Sequence, residues 1–168
     1  MATVLFINRQ DLLRNSIIDG NVDTDKYVQF IKLAQEIHIQ NYLGTEMYNA
    51  LSSAIPTIDD PVNARWKSLL NDYVVPMLIW FSQVDYIPFA SYQIRNGGVS
   101  KHVSENSESV SKEEVDYLVE KARTNAEWYT RRFIDYMGFN QTTYPEYTSN
   151  INDDIYPSND ATFNGWVL

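Results

Sequence analysis

An all-α bundle of four to five helices, with a long loop or small hairpin and an extended C-terminal arm, is the fold class this sequence predicts. Three observations predict it. Apolar residues recur at three/four spacing in several stretches, which places them on one face of a helix. Those stretches start and stop on helix punctuation, Asp60-Pro61 and Ser111-Lys112-Glu113-Glu114 at starts, Gly44 and Gly138 at ends. Strand-like alternation is modest and confined to Val99, Lys101 and Val103.

In chain order, Asn8 and Asp11 cap a short helical turn through Leu12, Leu13 and Arg14. Asp19 to Asp23 is a turn, and Asp23 or Thr24 caps a helix to about Tyr42. Its stripe is Tyr27, Phe30, Ile31, Ala34 and Ile37, and Gly44 stops it. A shorter helix from Thr45 to about Ala54 carries Met47, Tyr48 and Leu51, and Pro56 ends it. Asp60-Pro61 opens a long helical region as N-cap and first-turn proline. From Val74 to Phe81 that region is apolar nearly all round, so it is either central in the domain or set against a neighbouring subunit. Pro76 and Pro88 each remove a backbone donor and predict kinks.

Asn96-Gly97-Gly98 breaks the helix. The polar stretch after it is either a hairpin with Gln93 to Arg95, since Asn-Gly favours a tight turn, or a loop through Val110. Ser111 and Glu114 then form a capping box. The helix they open runs to Met137, with Val115, Leu118, Val119, Ala122, Ala126, Tyr129, Phe133 and Tyr136 or Met137 inward. Its acidic residues come first and its basic residues last, as the helix dipole prefers. Residues 1–138, with loop 96–110, therefore read as a helical body and 139–168 as an extended arm. The arm has no basic residue but keeps Phe139, Tyr144, Tyr147, Ile155, Tyr156, Phe163 and Trp166. Aromatic anchors along a polar chain suit a strap that orders on another surface; packing on its own body is the alternative.

The 168 residues fit one domain. A formal net charge of −9 opposes binding to phosphate backbones or anionic membranes. No apolar run approaches the ~20 residues that span a bilayer, and the N-terminus does not read as a signal peptide. With no Cys there is no disulfide framework and no thiolate. Synthesis in a cytosol is the expectation. An aromatic share of 14%, including 12 Tyr, suits surfaces that become buried against partners, although an aromatic core explains it equally well.

Catalytic chemistry finds little to work with. His38 and His102 are the only histidines and lie far apart in sequence. No phosphate-binding glycine loop and no zinc-ligand spacing occurs. The acidic pairs Asp59/Asp60, Glu105/Glu108, Glu113/Glu114 and Asp153/Asp154 sit in polar contexts, where capping and solvation are the expected roles. His38 reads as a packing histidine. No enzyme activity, cofactor or metal is expected.

The run Phe30-Ile31-Lys32-Leu33-Ala34-Gln35-Glu36-Ile37-His38-Ile39-Gln40-Asn41-Tyr42-Leu43-Gly44-Thr45 resembles phage proteins of the crAss-like and Bacteroidetes-phage type. So do Val75-Pro76-Met77-Leu78, Ser104 to Glu108, Glu114-Val115-Asp116 and Phe163-Asn164-Gly165-Trp166. The similarity runs from about Leu5 to Leu168 and holds no chemical signature. It resembles the head–tail connector adaptors of tailed phages. That resemblance implies a virion structural protein, made in the bacterial host cytoplasm, that forms a ring, commonly twelvefold. The ring would dock beneath the portal protein, contact neighbouring tail or ring proteins and let DNA pass without sequence-specific binding.

A ring closes through two unlike faces, and the apolar surface from Trp66 to Tyr92 is one expected source. Tyr144, Tyr147, Tyr156, Phe163 and Trp166 are the expected arm anchors, and Val99, Lys101 and His102 the expected loop contacts to channel or portal. The competing readings are another virion part, such as a tail-completion or capsid accessory subunit, a small binding module, and a hydrolase using the acidic pairs.

Overall fold

The computed structural model describes residues 4–16, 24–90, 92–95, 98–101, 111–149 and 154–162. Within them the chain is an all-α bundle with one small hairpin. Helix α1 spans Arg9–Asn15 and is held at its start by a capping box between Asn8 and Asp11. Helix α2 begins with Thr24–Ala34, passes through a π-helical turn, Gln35–Ile39, and ends with Gln40–Leu43. Helix α3 is Thr45–Ala54. Helix α4 is assembled from Pro61–Asn63, Ala64–Leu69, a π-turn Leu70–Val74, Val75–Tyr86 and a closing turn Ile87–Phe89. Strands β1, Tyr92–Arg95, and β2, Gly98–Lys101, pair antiparallel with Arg95 opposite Gly98. This is the two-residue Asn-Gly register. Helix α5 is Lys112–Phe139, and α6 is Pro145–Ser149.

The all-round apolar segment of α4 takes the centre. Met77, Leu78, Ile79, Phe81, Ser82, Gln83 and Val84 are all buried, with α2 and α5 packed against them. The wide face expected from Trp66 onward to serve a neighbour is thus covered largely within the chain, and that expectation is corrected. Burial on all sides is what an apolar helix without a polar face requires. Its buried Ser82 is satisfied twice: the Tyr27 and Ser82 hydroxyls lie 2.8 Å apart, and Ser82 donates to the Ile79 carbonyl.

Pro76 shapes α4 as its chemistry dictates. It has no N–H to give the Asp72 carbonyl, and the π-turn Leu70–Val74 ends two residues before it. Arg132 of α5 donates to that Asp72 carbonyl at 2.9 Å and lies over the Tyr73 ring. The proline thereby becomes a point where α5 is fastened to α4.

The π-turn in α2 also departs from the simple stripe. One turn of wider pitch rotates the residues beyond it, so Ile39 and Leu43 point inward, fully buried, and Ile37 is 53% exposed. Gln35, within that turn, is fully buried and acts as a backbone surrogate for the N-terminal segment. It accepts from the Phe6 N–H at 2.9 Å and donates to the Val4 carbonyl and the Tyr48 hydroxyl.

The C-terminal region is not a free strap over its described length. Helix α5 runs through Gly138 to Phe139, and the Asn140 side chain bonds back to the Tyr136 carbonyl. Tyr144 and Tyr147 enter the core, and α6, a helix no periodicity announced, lies against α3. Among the described residues no helix is long and apolar enough to cross a membrane.

Candidate assembly surface

The expected arm anchors divide three ways. Tyr144 is 1% and Tyr147 8% exposed, so both are built into this chain's own core and not offered to a neighbour. This corrects their assignment as partner contacts. Tyr144 donates to the Arg65 carbonyl at 2.9 Å and packs at a tilt against Trp66, 5.7 Å between ring centres. Burial, then the neighbouring Tyr136 hydroxyl, raise its ionisation well above the usual tyrosine range. Tyr147 donates to Asn159. Tyr156 is 69% exposed. Phe163 and Trp166 lie outside the described residues.

Residues 154–162 form an extended strap along the junction of α2 and α3. Thr45 donates its N–H to the Ile155 carbonyl, its hydroxyl gives to Asp154 and receives from the Ile155 N–H, and Ser158 donates to the Asn41 carbonyl. Burial pushes the Tyr42 hydroxyl up to about 12, with Asp160 of the strap adding to the shift. The strap sits where Gly44, at φ 75°, has no side chain.

Arg65 fastens the segment before α6. Its guanidinium takes Glu146 with both nitrogens, at 2.6 and 3.2 Å, and donates to the Thr143 carbonyl. Burial would raise the Glu146 carboxyl, but hydrogen bonds from Arg65, backbone donation and the guanidinium charge outweigh it and hold the group below its ordinary value. A depressed carboxyl stabilises the fold above its unfolded pKa and loses that contribution as pH falls through the folded one. Replacing Arg65 by Ala is expected to cost about 1 kcal/mol near neutral pH, since the pair is partly solvated. The same penalty should shrink as pH falls through the lowered range in which Glu146 protonates; paired urea titrations at neutral and acid pH measure it.

Of the expected loop contacts, Val99 and Lys101 belong to β2, and His102 lies outside the described residues. His38 is 4% exposed, stacks on Phe81 at 4.3 Å, and places Nε2 3.3 Å from Asp85 Oδ2. Asp59 pairs with Lys67, and Glu114 completes the α5 cap. Asp153, Glu105 and Glu108 lie outside the described residues. Among the described residues no three metal-ligating side chains converge.

Among the described residues, two apolar surfaces stand open on different elements. One joins Leu33 and Ile37 of α2, 42% and 53% exposed, to Phe30 and to Phe89 at the end of α4. The Phe30 and Phe89 ring centres are 5.7 Å apart. The other runs along α5. Tyr117, Trp128 and Phe139 are 61%, 58% and 89% exposed. They are spaced eleven residues apart, close to three helical turns, so they form one line about 33 Å long. The core side of α5 is Ala122, Ala126, Thr130, Phe133 and Met137, which lies on the opposite face at 100° per residue. Leu118, expected inside, is 40% exposed and extends this surface. Beside it an open depression of 430 Å³ is lined by Glu113, Glu114, Tyr117 and Leu118.

Sequence reasoning passed over the α5 line. Its signal was present in the eleven-residue spacing, but a search for a single inward stripe discards outward aromatics as solvent-facing.

A model described as a family of unknown function (DUF6712) matches residues 39–156. No curated protein and no solved structure matches the chain.

Proposed function

The chain belongs to the DUF6712 family, and we propose for it a structural, non-catalytic role: a ring subunit of a phage head–tail connector, set between portal and tail around the DNA channel. The observation that carries this reading is the pair of unlike exposed apolar faces, Phe30/Leu33/Ile37/Phe89 on one side and Tyr117/Trp128/Phe139 on the other. A cyclic ring closes only when each subunit offers two different, mutually fitting surfaces. Large aromatic side chains standing in solvent are typical of surfaces awaiting a partner.

The negative charge suits a lining that lets DNA slide past without gripping it, because no counterion release rewards contact with phosphate. The likeness to connector adaptors supplies the portal and the tail as neighbours. The virion is the place of work, and a ring of about twelve subunits is the expected stoichiometry on that likeness.

The test is reconstitution of the chain on a portal ring, with assembly followed by native mass measurement. Wild type is expected to close a ring. Ile37→Glu and Trp128→Glu each place a charge in one face and should each prevent closure, while circular dichroism stays native because both sites are exposed. Rings that close with either variant would remove the corresponding face from the reading.

A further inference from the structure

We propose that the free chain forms a two-fold pair in which α5 of one copy lies antiparallel on α5 of a second copy, centred on Trp128. The line of exposed aromatics is its own reverse: Tyr117 lies eleven residues before Trp128, and Phe139 eleven after. Turning a second copy by half a revolution about Trp128 lays Trp128 on its counterpart, Phe139 on Tyr117, and Tyr117 on Phe139. A self-complementary patch of this kind is what an isologous contact needs.

Charge selects the antiparallel sense. Lys121 and Asp135 are both exposed, lie on the aromatic face, and stand seven residues either side of Trp128. The half-turn therefore brings Lys121 of each copy to Asp135 of the other, twice over. In the parallel sense Lys121 would meet Lys121 and Asp135 would meet Asp135. Antiparallel stacking also opposes the two helix dipoles.

Shape agrees as well. Phe139 is 89% exposed, and the place that meets it is the 430 Å³ depression beside Tyr117 and Leu118. Lys121 Nζ lies 5.9 Å from the Tyr117 ring centre, within reach of the same seam. The pairing rests on the α5 face alone and does not require the ring reading. Where a ring forms, the pair hides one of its two faces and must separate first, so a free chain would be held back until a portal competes for it.

Sedimentation velocity of the full chain across the micromolar range tests the pairing. The expected result is a concentration-dependent species of twice the 19.5 kDa chain mass. Lys121→Glu and Asp135→Lys, each turning two attractions into repulsions, should each weaken self-association about tenfold. An equimolar mixture of the two variants should associate like wild type, because every cross-copy pair is then of opposite sign. A monomer throughout the range, an assembly larger than two in the free chain, single variants that dimerise unchanged, or a mixture that stays monomeric would each overturn the pairing. Ring closure on a portal is read separately, so failure of one reading does not mimic failure of the other.

Discussion

Removing residues 140–168 is expected to unfold the helical body, not trim it. The deletion takes out Tyr144 and Tyr147, two buried members of the one core, and truncating a buried aromatic costs about 3–5 kcal/mol. It also strips the Glu146 and Thr143 partners from Arg65 and uncovers the start of α3, where the strap meets Thr45. Losses of this size together rival the ~5–15 kcal/mol that hold a whole domain folded. Thermal and urea melts followed by circular dichroism should show no cooperative transition for the shortened chain. A folded body with an unchanged midpoint would show that the C-terminal region is dispensable to the core. The milder change Tyr144→Phe, which removes the hydroxyl's bond to the Arg65 carbonyl and its long contact with the Tyr136 hydroxyl, should cost about 1 kcal/mol.

Gly44→Ala is expected to be strongly damaging for the addition of a single methyl group. Gly44 sits at φ 75° and ψ 157°, a conformation that is essentially restricted to glycine and costs other residues about 1–3 kcal/mol. A methyl there would also lie 2.7 Å from the Pro157 ring, so the strap would have to lift. Lifting it breaks the bonds from Thr45 to Ile155 and from Ser158 to Asn41. A loss of about 3 kcal/mol or more is expected. Proteolysis should then cut near residues 154–162 in the variant and spare them in the wild type. A variant with wild-type stability and an unchanged cleavage pattern would contradict the contact. By contrast, Gly138→Ala should be neutral or stabilising, since nothing lies within 4 Å of its missing side chain and it is helical.

Much of the fold was legible because its signals are local. The capping box at Ser111, the proline start at Pro61, the Gly44 stop and the apolar centre around Met77 each depend on a few neighbouring residues. The Asn-Gly signal was local too, and of the two readings of that stretch it is the hairpin that forms, with β1 paired to β2. What escaped depends on contacts between distant parts. The π-turn of α2 exposes Ile37 and buries Leu43, and no spacing rule contains that extra residue. Tyr144 and Tyr147 looked like strap anchors because their neighbours are polar. Contacts with distant residues make them core: Tyr144 meets Arg65 and Trp66, roughly eighty positions earlier, and Tyr147 meets Phe133. The carbonyl left without a donor by Pro76 was predictable, whereas its filling by Arg132 was not. For the candidate site, the expectation of two unlike faces placed one of them on α4, which the bundle covers, and did not include the aromatic line on α5.

Electron cryomicroscopy of the chain assembled on a portal ring shows directly whether the two open faces meet. The expected result is a closed ring in which Phe30, Leu33, Ile37 and Phe89 of each subunit are covered by Tyr117, Trp128 and Phe139 of the next. A particle in which both faces remain in solvent, or in which the chain fails to join the portal at all, would contradict the connector role.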